Sequence, residues 1–199
     1  MHFQPDLQVF TLTPEARQRH DALLTSRFTD LARLAPGLTL TWTLRDQPLV
    51  RGDLDGRGLV GMVERTRSLL GGVGHRRATY ETPKGPLEVD VAVGWRTRGA
   101  LPHVHSFVNF DRTTEGDHVE GVLQAARGFL ASYRGSPSGL VAAVHVVLAD
   151  VLYGSPIKDH VDDPHVRAPV ADATRAALTA WAEAHPEAAA TVRARTIRR

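Results

Sequence analysis

His103-Val104-His105-Ser106-Phe107-Val108-Asn109-Phe110, followed by a turn-rich stretch and then by Asp117 to Tyr133 and Gly139 to Ala149, decides the fold. The first segment reads as a strand. The second presents Val122, Leu123, Ala126, Phe129 and Leu130 along one helical face, and the third is an apolar strand buried on both sides. Working upstream, Leu87, Val89, Val91, Val93 and Trp95 alternate along one face of a further strand. Pro83-Lys84-Gly85-Pro86 joins it to a strand over Arg76–Thr82. Downstream, the chain from Pro164 is helical, with a break at Pro186. After residue 75 the order is therefore strand, strand, strand, helix, strand, helix. That order predicts an α+β fold, a mixed sheet with helices on one face.

Further upstream, Phe3–Phe10 reads as a strand. Thr13-Pro14-Glu15 opens a helix with a hydroxyl cap and a proline in the first turn. Leu23, Leu24, Phe28, Leu31 and Leu34 continue it until Pro36-Gly37. Leu38, Leu40, Trp42 and Leu44 alternate with threonines, the period of a strand with one buried face. Arg45–Gly56 is polar and turn-rich, a boundary between two parts of the chain. Leu59, Met62, Val63, Thr66, Leu69 and Leu70 predict a second helix, ended by Gly71-Gly72.

Composition narrows the function classes. The chain is 42% hydrophobic and 23% charged, a globular profile. It has no cysteine, which excludes disulfides, thiolate nucleophiles and cysteine-ligated metal. The N-terminus shows neither a basic start nor an apolar run. The longest apolar stretch, Leu140 to Ala149, is interrupted by His145 and falls short of the ~20 residues that cross a bilayer. These features predict a soluble, cytoplasmic protein that makes no membrane contact. Net charge is only +2, so the pI near 9.4 does not make the molecule a polycation. Its basic cluster is the tail, Arg193, Arg195, Arg198 and Arg199, which can meet phosphates or an acidic partner or stand as a solvated terminus.

Several motifs in combination resemble the gyrase and topoisomerase IV B-subunit family. Ser106-Phe107-Val108-Asn109, then Thr113-Thr114-Glu115-Gly116-Asp117-His118 and a helix, is similar to the family's Ser-Phe-x-Asn strand and its Asn-Thr-x-Glu-Gly-Gly-Thr-His turn, here one residue shorter. Leu87-Glu88-Val89-Asp90-Val91-Ala92-Val93 looks like the strand before it. Gly139-Leu140-Val141-Ala142-Ala143-Val144 resembles Gly-Leu-Thr-Ala-Val-Val, and Val166-Arg167 matches Glu-Val-Arg. At the N-terminus, Phe3-Gln4-Pro5-Asp6 with Val9-Phe10, and Arg27 to Leu38, fit the family's preceding strand, helix and strand.

The resemblance implies a stand-alone, truncated paralogue of the transducer domain, the second domain of the gyrase B ATPase region. Residues 1–53 would correspond to the last elements of the ATPase domain and 54–199 to the transducer with its basic C-terminal tail. The implied fold is GHMP-kinase-like and ribosomal-protein-S5-like, with a left-handed βαβ crossover. The implied function is a non-catalytic interaction module that binds or modulates DNA gyrase, topoisomerase or DNA. Exposed N-terminal strands would offer an edge for self-association. The family's activity is ATP-dependent type II DNA topoisomerase. The glutamate-bearing helix and glycine-rich lid of its ATP pocket have no counterpart in these residues, so the chain by itself is expected to be no enzyme. Asp53-Leu54-Asp55-Gly56-Arg57-Gly58 mimics the adenine motif but reads as a turn before a helix.

Counting back from Val166-Arg167 places Pro156-Ile157-Lys158 where the family has Gln-Thr-Lys, whose lysine reaches the γ-phosphate. Lys158 and Lys84 are the only lysines among 24 basic residues. A lysine delivers a point charge to a phosphate on a flexible stem. Lys158 is thus either a phosphate contact or a surface lysine. As a phosphate contact it would make the chain half of a split ATPase, acting in trans. No cofactor is expected, and ATP enters only where a partner supplies the pocket. Histidines carry a rival class, a metal-dependent hydrolase. His103 and His105 face the same way on one strand, and His160, Asp162, Asp163 and His165 form a second set of ligand types. His118 is expected to be a structural part of its helix start.

Overall fold

The computed structural model describes residues 13–44, 47–51, 56–99, 101–130 and 136–197. The expected strand over Phe3–Phe10 and the terminal Arg198 and Arg199 lie outside them. The chain divides into two compact units, Met1–Gly56 and Arg57–Arg199.

In the first unit, helix α1 (Pro14–Leu34) begins where Thr13 Oγ1 accepts the Ala16 N–H at 3.2 Å. This cap satisfies one of the donors a helix leaves orphaned at its start. Strands β1 (Thr41–Leu44) and β2 (Gln47–Arg51) form an antiparallel pair with a bulge between Trp42 and Thr43. The polar turn-rich stretch thus holds a strand that composition hides, because Pro48 lies inside it.

In the second unit, helix α2 (Gly58–Glu64) is shorter than its apolar spacing predicts. Leu69 and Leu70 belong instead to β3 (Leu69–Thr82), where they pair with Arg96 and Trp95 of β4 (Gly85–Arg96). Pairing with a neighbouring strand overrides the local helical period. The chain then runs through β5 (His103–Val108), β6 (Asp111–Thr113), β7 (Glu115–Gly116) and helix α3 (Asp117–Phe129). It continues with β8 (Leu140–Val147), β9 (His160–Val161), α4 (Pro164–Ala184) and α5 (Pro186–Ile197).

The main sheet has the order β3-β4-β8-β5-β6. All its pairings are antiparallel except β5 with β8. That parallel pair is joined through α3, a βαβ unit inside an otherwise antiparallel sheet. The class is α+β, as the element order predicts.

Leu87, Val89, Val91, Val93 and Trp95 are all fully buried and form one core with residues of β8, α3 and α4. Trp95, Phe129 and Trp181 meet with ring centroids 6.1–6.5 Å apart. Trp181 donates its indole N–H to the Gly72 carbonyl at 2.9 Å, tying α4 to the edge of the sheet. A Cβ at Gly74 would overlap the Ala177 carbonyl, so only glycine lets α4 lie this close to β3. On the opposite face, a Cβ at Gly94 would come within 3.2 Å of Val63 in α2. Among the described residues no helix is long and apolar enough to cross a membrane.

Candidate functional site

The motif residues gather where β5, β6, β7 and β9 meet the starts of α3 and α4. Ser106 donates its hydroxyl to the Thr113 carbonyl at 2.8 Å, and Thr113 donates its own to Ser106 Oγ at 2.9 Å. Thr113 Oγ1 lies 2.7 Å from His118 Nε2. Since the Thr113 proton goes to Ser106, His118 Nε2–H is the donor to Thr113, and Nδ1 carries no proton. His118 is fully buried and Nδ1 has no partner among the described residues. Burial pushes its pKa down to about 4, the Asp117 carboxylate opposing that shift and His160 adding to it. The ring is a neutral structural hydrogen-bonding part, as expected for a residue at this helix start.

Asn109 closes the other end of β5. Its side chain donates to the Leu148 carbonyl at 2.8 Å and accepts the Leu148 N–H at 3.0 Å, continuing the β5–β8 ladder in side-chain form. Its φ of 47° is one that asparagine tolerates better than most residues. Gly116, with φ 125°, lets β7 approach β9 so closely that a Cβ would overlap the backbone of Val161. Asp117, 7% exposed, receives the Arg167 guanidinium at 2.5–2.8 Å and so links the first turns of α3 and α4.

Asp163 is the N-cap of α4 and accepts the His165 N–H at 3.2 Å. Its fully buried carboxylate also receives Lys84 Nζ at 2.9 Å and the Leu152 N–H at 3.3 Å. Burial pushes the carboxyl's pKa up. The Lys84 ammonium and the two backbone donors outweigh it, leaving a net shift below the ordinary value. The sequence pattern held the signal for the cap, since Asp163-Pro164 is an N-cap followed by proline at the first helical position. It held none for Lys84, 79 residues away.

Of the predicted site residues, Lys158 stands on the loop between Tyr153 and β9, exposed, at φ 60°, its ammonium 5.7 Å from the Tyr153 ring centre. Ile157 beside it is 80% exposed. The loop is held by hydrogen bonds from Ser155 to Asp159 and from Thr114 N to the Asp159 carbonyl. His103 and His105 are neighbours, ring centroids 4.4 Å apart and edge-on. Among the described residues no three His, Asp or Glu side chains form a group that could hold a metal ion. In the second set, Asp163 is the cap of α4 and His160 lies 3.3 Å from Glu115. In the basic tail, Arg193 lies over the Phe129 ring at 4.4 Å, and Arg195 donates to the carbonyls of Arg96 and Thr97. A groove of about 540 Å³ lies at the α4–α5 break, lined by Leu70, His185, Pro186 and Glu187 among others.

No protein-family model and no curated protein matches the sequence. Solved structures do. The 43K ATPase domain of Thermus thermophilus gyrase B, in complex with an aminocoumarin, aligns over 98% of this chain and 56% of its own, with TM-score 0.74 and 20% identity. The B-subunit of the DNA gyrase from Myxococcus xanthus aligns over 86% and 59%, with TM-score 0.68 and 26% identity. The topoisomerase IV ATP-binding domain of Francisella tularensis, in complex with a small-molecule inhibitor, aligns over 97% and 56%, with TM-score 0.65 and 17% identity. The chain therefore spans less than three-fifths of each of these structures and shares their mixed α+β, GHMP-kinase-like fold.

Proposed function

We propose that this chain, built on the fold of gyrase B and topoisomerase IV ATP-binding regions, is a non-catalytic transducer-like module that binds or modulates a gyrase, a topoisomerase or their DNA. One observation carries this. The motif residues Ser106, Asn109, Thr113, Asp117, His118 and Arg167 all bond to other residues of the chain, so the motif serves to hold strands and helix starts together. Residues 1–53 would then be the remnant resembling the end of an ATPase domain, and residues 54–199 the transducer. The test is a pull-down of the tagged protein from its own cell lysate, with and without nuclease, read by mass spectrometry. Gyrase or topoisomerase subunits that survive nuclease treatment support the proposal. Recovery of only nucleic acid and its binders, lost with nuclease, moves the function to DNA binding through arginines.

A specific observation favours a second proposal, a split ATPase with Lys158 acting in trans. The other lysine, Lys84, is committed to a buried carboxylate, whereas Lys158 projects from an exposed loop. Lys158→Ala in the complex with the partner should then lower ATP turnover at least tenfold. Unchanged turnover removes this proposal and leaves the non-catalytic one standing.

A further inference from the structure

Among the described residues the main sheet ends at β3, a strand of 14 residues paired only with β4. Pro86 has no N–H, so its pair with Glu81 is of the wide, non-hydrogen-bonded kind. By alternation, Thr82, Tyr80, Ala78, Arg76 and Gly74 exchange hydrogen bonds with β4. The amides and carbonyls of His75, Arg77, Thr79 and Glu81 therefore point away from the sheet. These four residues are exposed, and among the described residues no other backbone group bonds to theirs. An edge of this length is a template for another strand.

We propose that β3 pairs antiparallel with β3 of a second copy of this chain, about a two-fold axis at Ala78. Charge selects the occupant and the register. Outward amides can meet only outward amides, which leaves few axes. An axis at Arg76 or Arg77 sets Arg77 against His75 or against itself. An axis at Thr79 sets His75 against Pro83, in the turn and without an N–H. The axis at Ala78 uses all four outward residues. It sets His75 opposite Glu81 of the second copy and Arg77 opposite Thr79, with Glu81 on the diagonal, and cross-strand pairs of this kind are what stabilise a sheet. Within one copy His75 and Arg77 already hold Asp90 and Glu88, at 2.7 and 3.2 Å. Glu81 has no ion pair among the described residues, which makes it the charge the second copy can take up.

Sedimentation of the purified full chain across a hundredfold concentration range tests the pairing. Dimer is expected. Thr79→Pro removes only an outward N–H, which an edge strand tolerates. It should give a monomer with unchanged circular dichroism, whose thermal midpoint no longer rises with protein concentration. The register is read by thiols, because the chain has no cysteine. Ala78→Cys places two Cα atoms about 4.5 Å apart across the axis, within the roughly 4.4–6.8 Å a disulfide spans. Under mild oxidation it should cross-link at least tenfold faster than His75→Cys, whose own copy lies about 20 Å along the paired edge. A wild-type chain that stays monomeric throughout overturns the proposal, as does a dimer indifferent to Thr79→Pro. Equal cross-linking by both cysteines overturns the axis. None of these outcomes bears on the pull-down for gyrase, so the two proposals fail separately.

Discussion

Lys84 and Asp163, one in a hairpin turn and the other capping a helix, meet at 2.9 Å, and the carboxylate they share is wholly shut off from solvent. The lysine is 25% exposed, so it reaches in from water while the aspartate stays inside. The contact fixes the β3–β4 turn against the start of α4. A second bond, from Lys84 Nζ to the Asp150 carbonyl at 3.2 Å, ties in the chain after β8.

Removing the lysine alone leaves a buried charge. Lys84→Met should cost about 2 kcal/mol in denaturant unfolding, below the full cost of breaking a buried pair because two backbone donors still hold Asp163. The folded carboxyl titrates below its ordinary 3.8. Its contribution is therefore complete above that value and is lost as pH falls through the lower folded value. The stability–pH curve of Lys84→Met should be flatter on this acid limb. A limb as steep as wild type would show that Asp163 draws nothing from the lysine.

His118 and His145 have their pKa values lowered to about 4 from 6.5, in both cases first by burial. The unfolded chain therefore binds more protons than the folded one between these values, and stability must fall as pH drops from about 6.5 to 4. His145 Nε2 is buried without a hydrogen-bond partner among the described residues, and its ring packs 4.9 Å from Phe110. His145→Leu should therefore take one proton out of the slope while keeping the fold, as titration of the unfolding midpoint would read. An unchanged slope would mean that His145 is not held neutral.

Two glycines should respond in opposite directions. Gly116→Ala forces a Cβ into Val161 at a φ of 125° and should cost about 3 kcal/mol or prevent folding. Gly128 lies in α3 with nothing among the described residues within 4 Å of a Cβ, so Gly128→Ala should stabilise by about 0.5–1 kcal/mol. Thermal melts of the two variants check both signs.

Arg195→Ala should lower stability by about 1 kcal/mol, since it removes two donors to the carbonyls at the end of β4. If the same arginine is also a phosphate contact, the salt dependence of DNA binding should lose about one unit of slope. Filter binding across a salt series separates the two. A stable variant with a shallower slope assigns Arg195 to phosphate.

Lys158 sits at φ 60°, where glycine is at ease and lysine is not. Lys158→Gly should therefore match or exceed wild-type stability, by up to about 1 kcal/mol, while deleting the charge. That variant tests the phosphate role without disturbing the fold. A loss of stability would show that the lysine's contact with Tyr153 matters more than its backbone strain.

Much of the second unit was legible because its periodicities are clean. Alternation from Leu87 to Trp95 marks a strand with one buried face, and every one of those side chains is fully buried. The run through β8 has apolar residues at nearly every position because helices α3 and α4 cover one face of the sheet and α2 packs against the other. Asp163-Pro164 announces a helix start. What failed to show was long-range. Leu69 and Leu70 continue a helical spacing, and only their pairing with Trp95 and Arg96 makes them a strand. The candidate site divides in the same way. The Ser106–His118 motif stands out as a stretch, yet nothing in its spacing says that Thr113 links the two side chains. Asp163 reads as a possible metal ligand until Lys84 is seen beside it.

The strand order carries a cost in time. β8 is hydrogen-bonded to β4 on one side and β5 on the other, although both are made before it. During synthesis the β3–β4 hairpin can close at once, because its partners are adjacent in the chain. The growing polypeptide must then carry the inner edge of β4 and the open edge of the β5–β6 hairpin unpaired until residue 147 has cleared the ribosome. Two sticky edges of one nascent chain wait for the same missing strand, and pairing with each other would lock β8 out. Delayed, all-at-once closure of the sheet around its last-made central strand is thus built into the topology. Slow translation before β8 should lengthen the interval in which chaperones hold the chain.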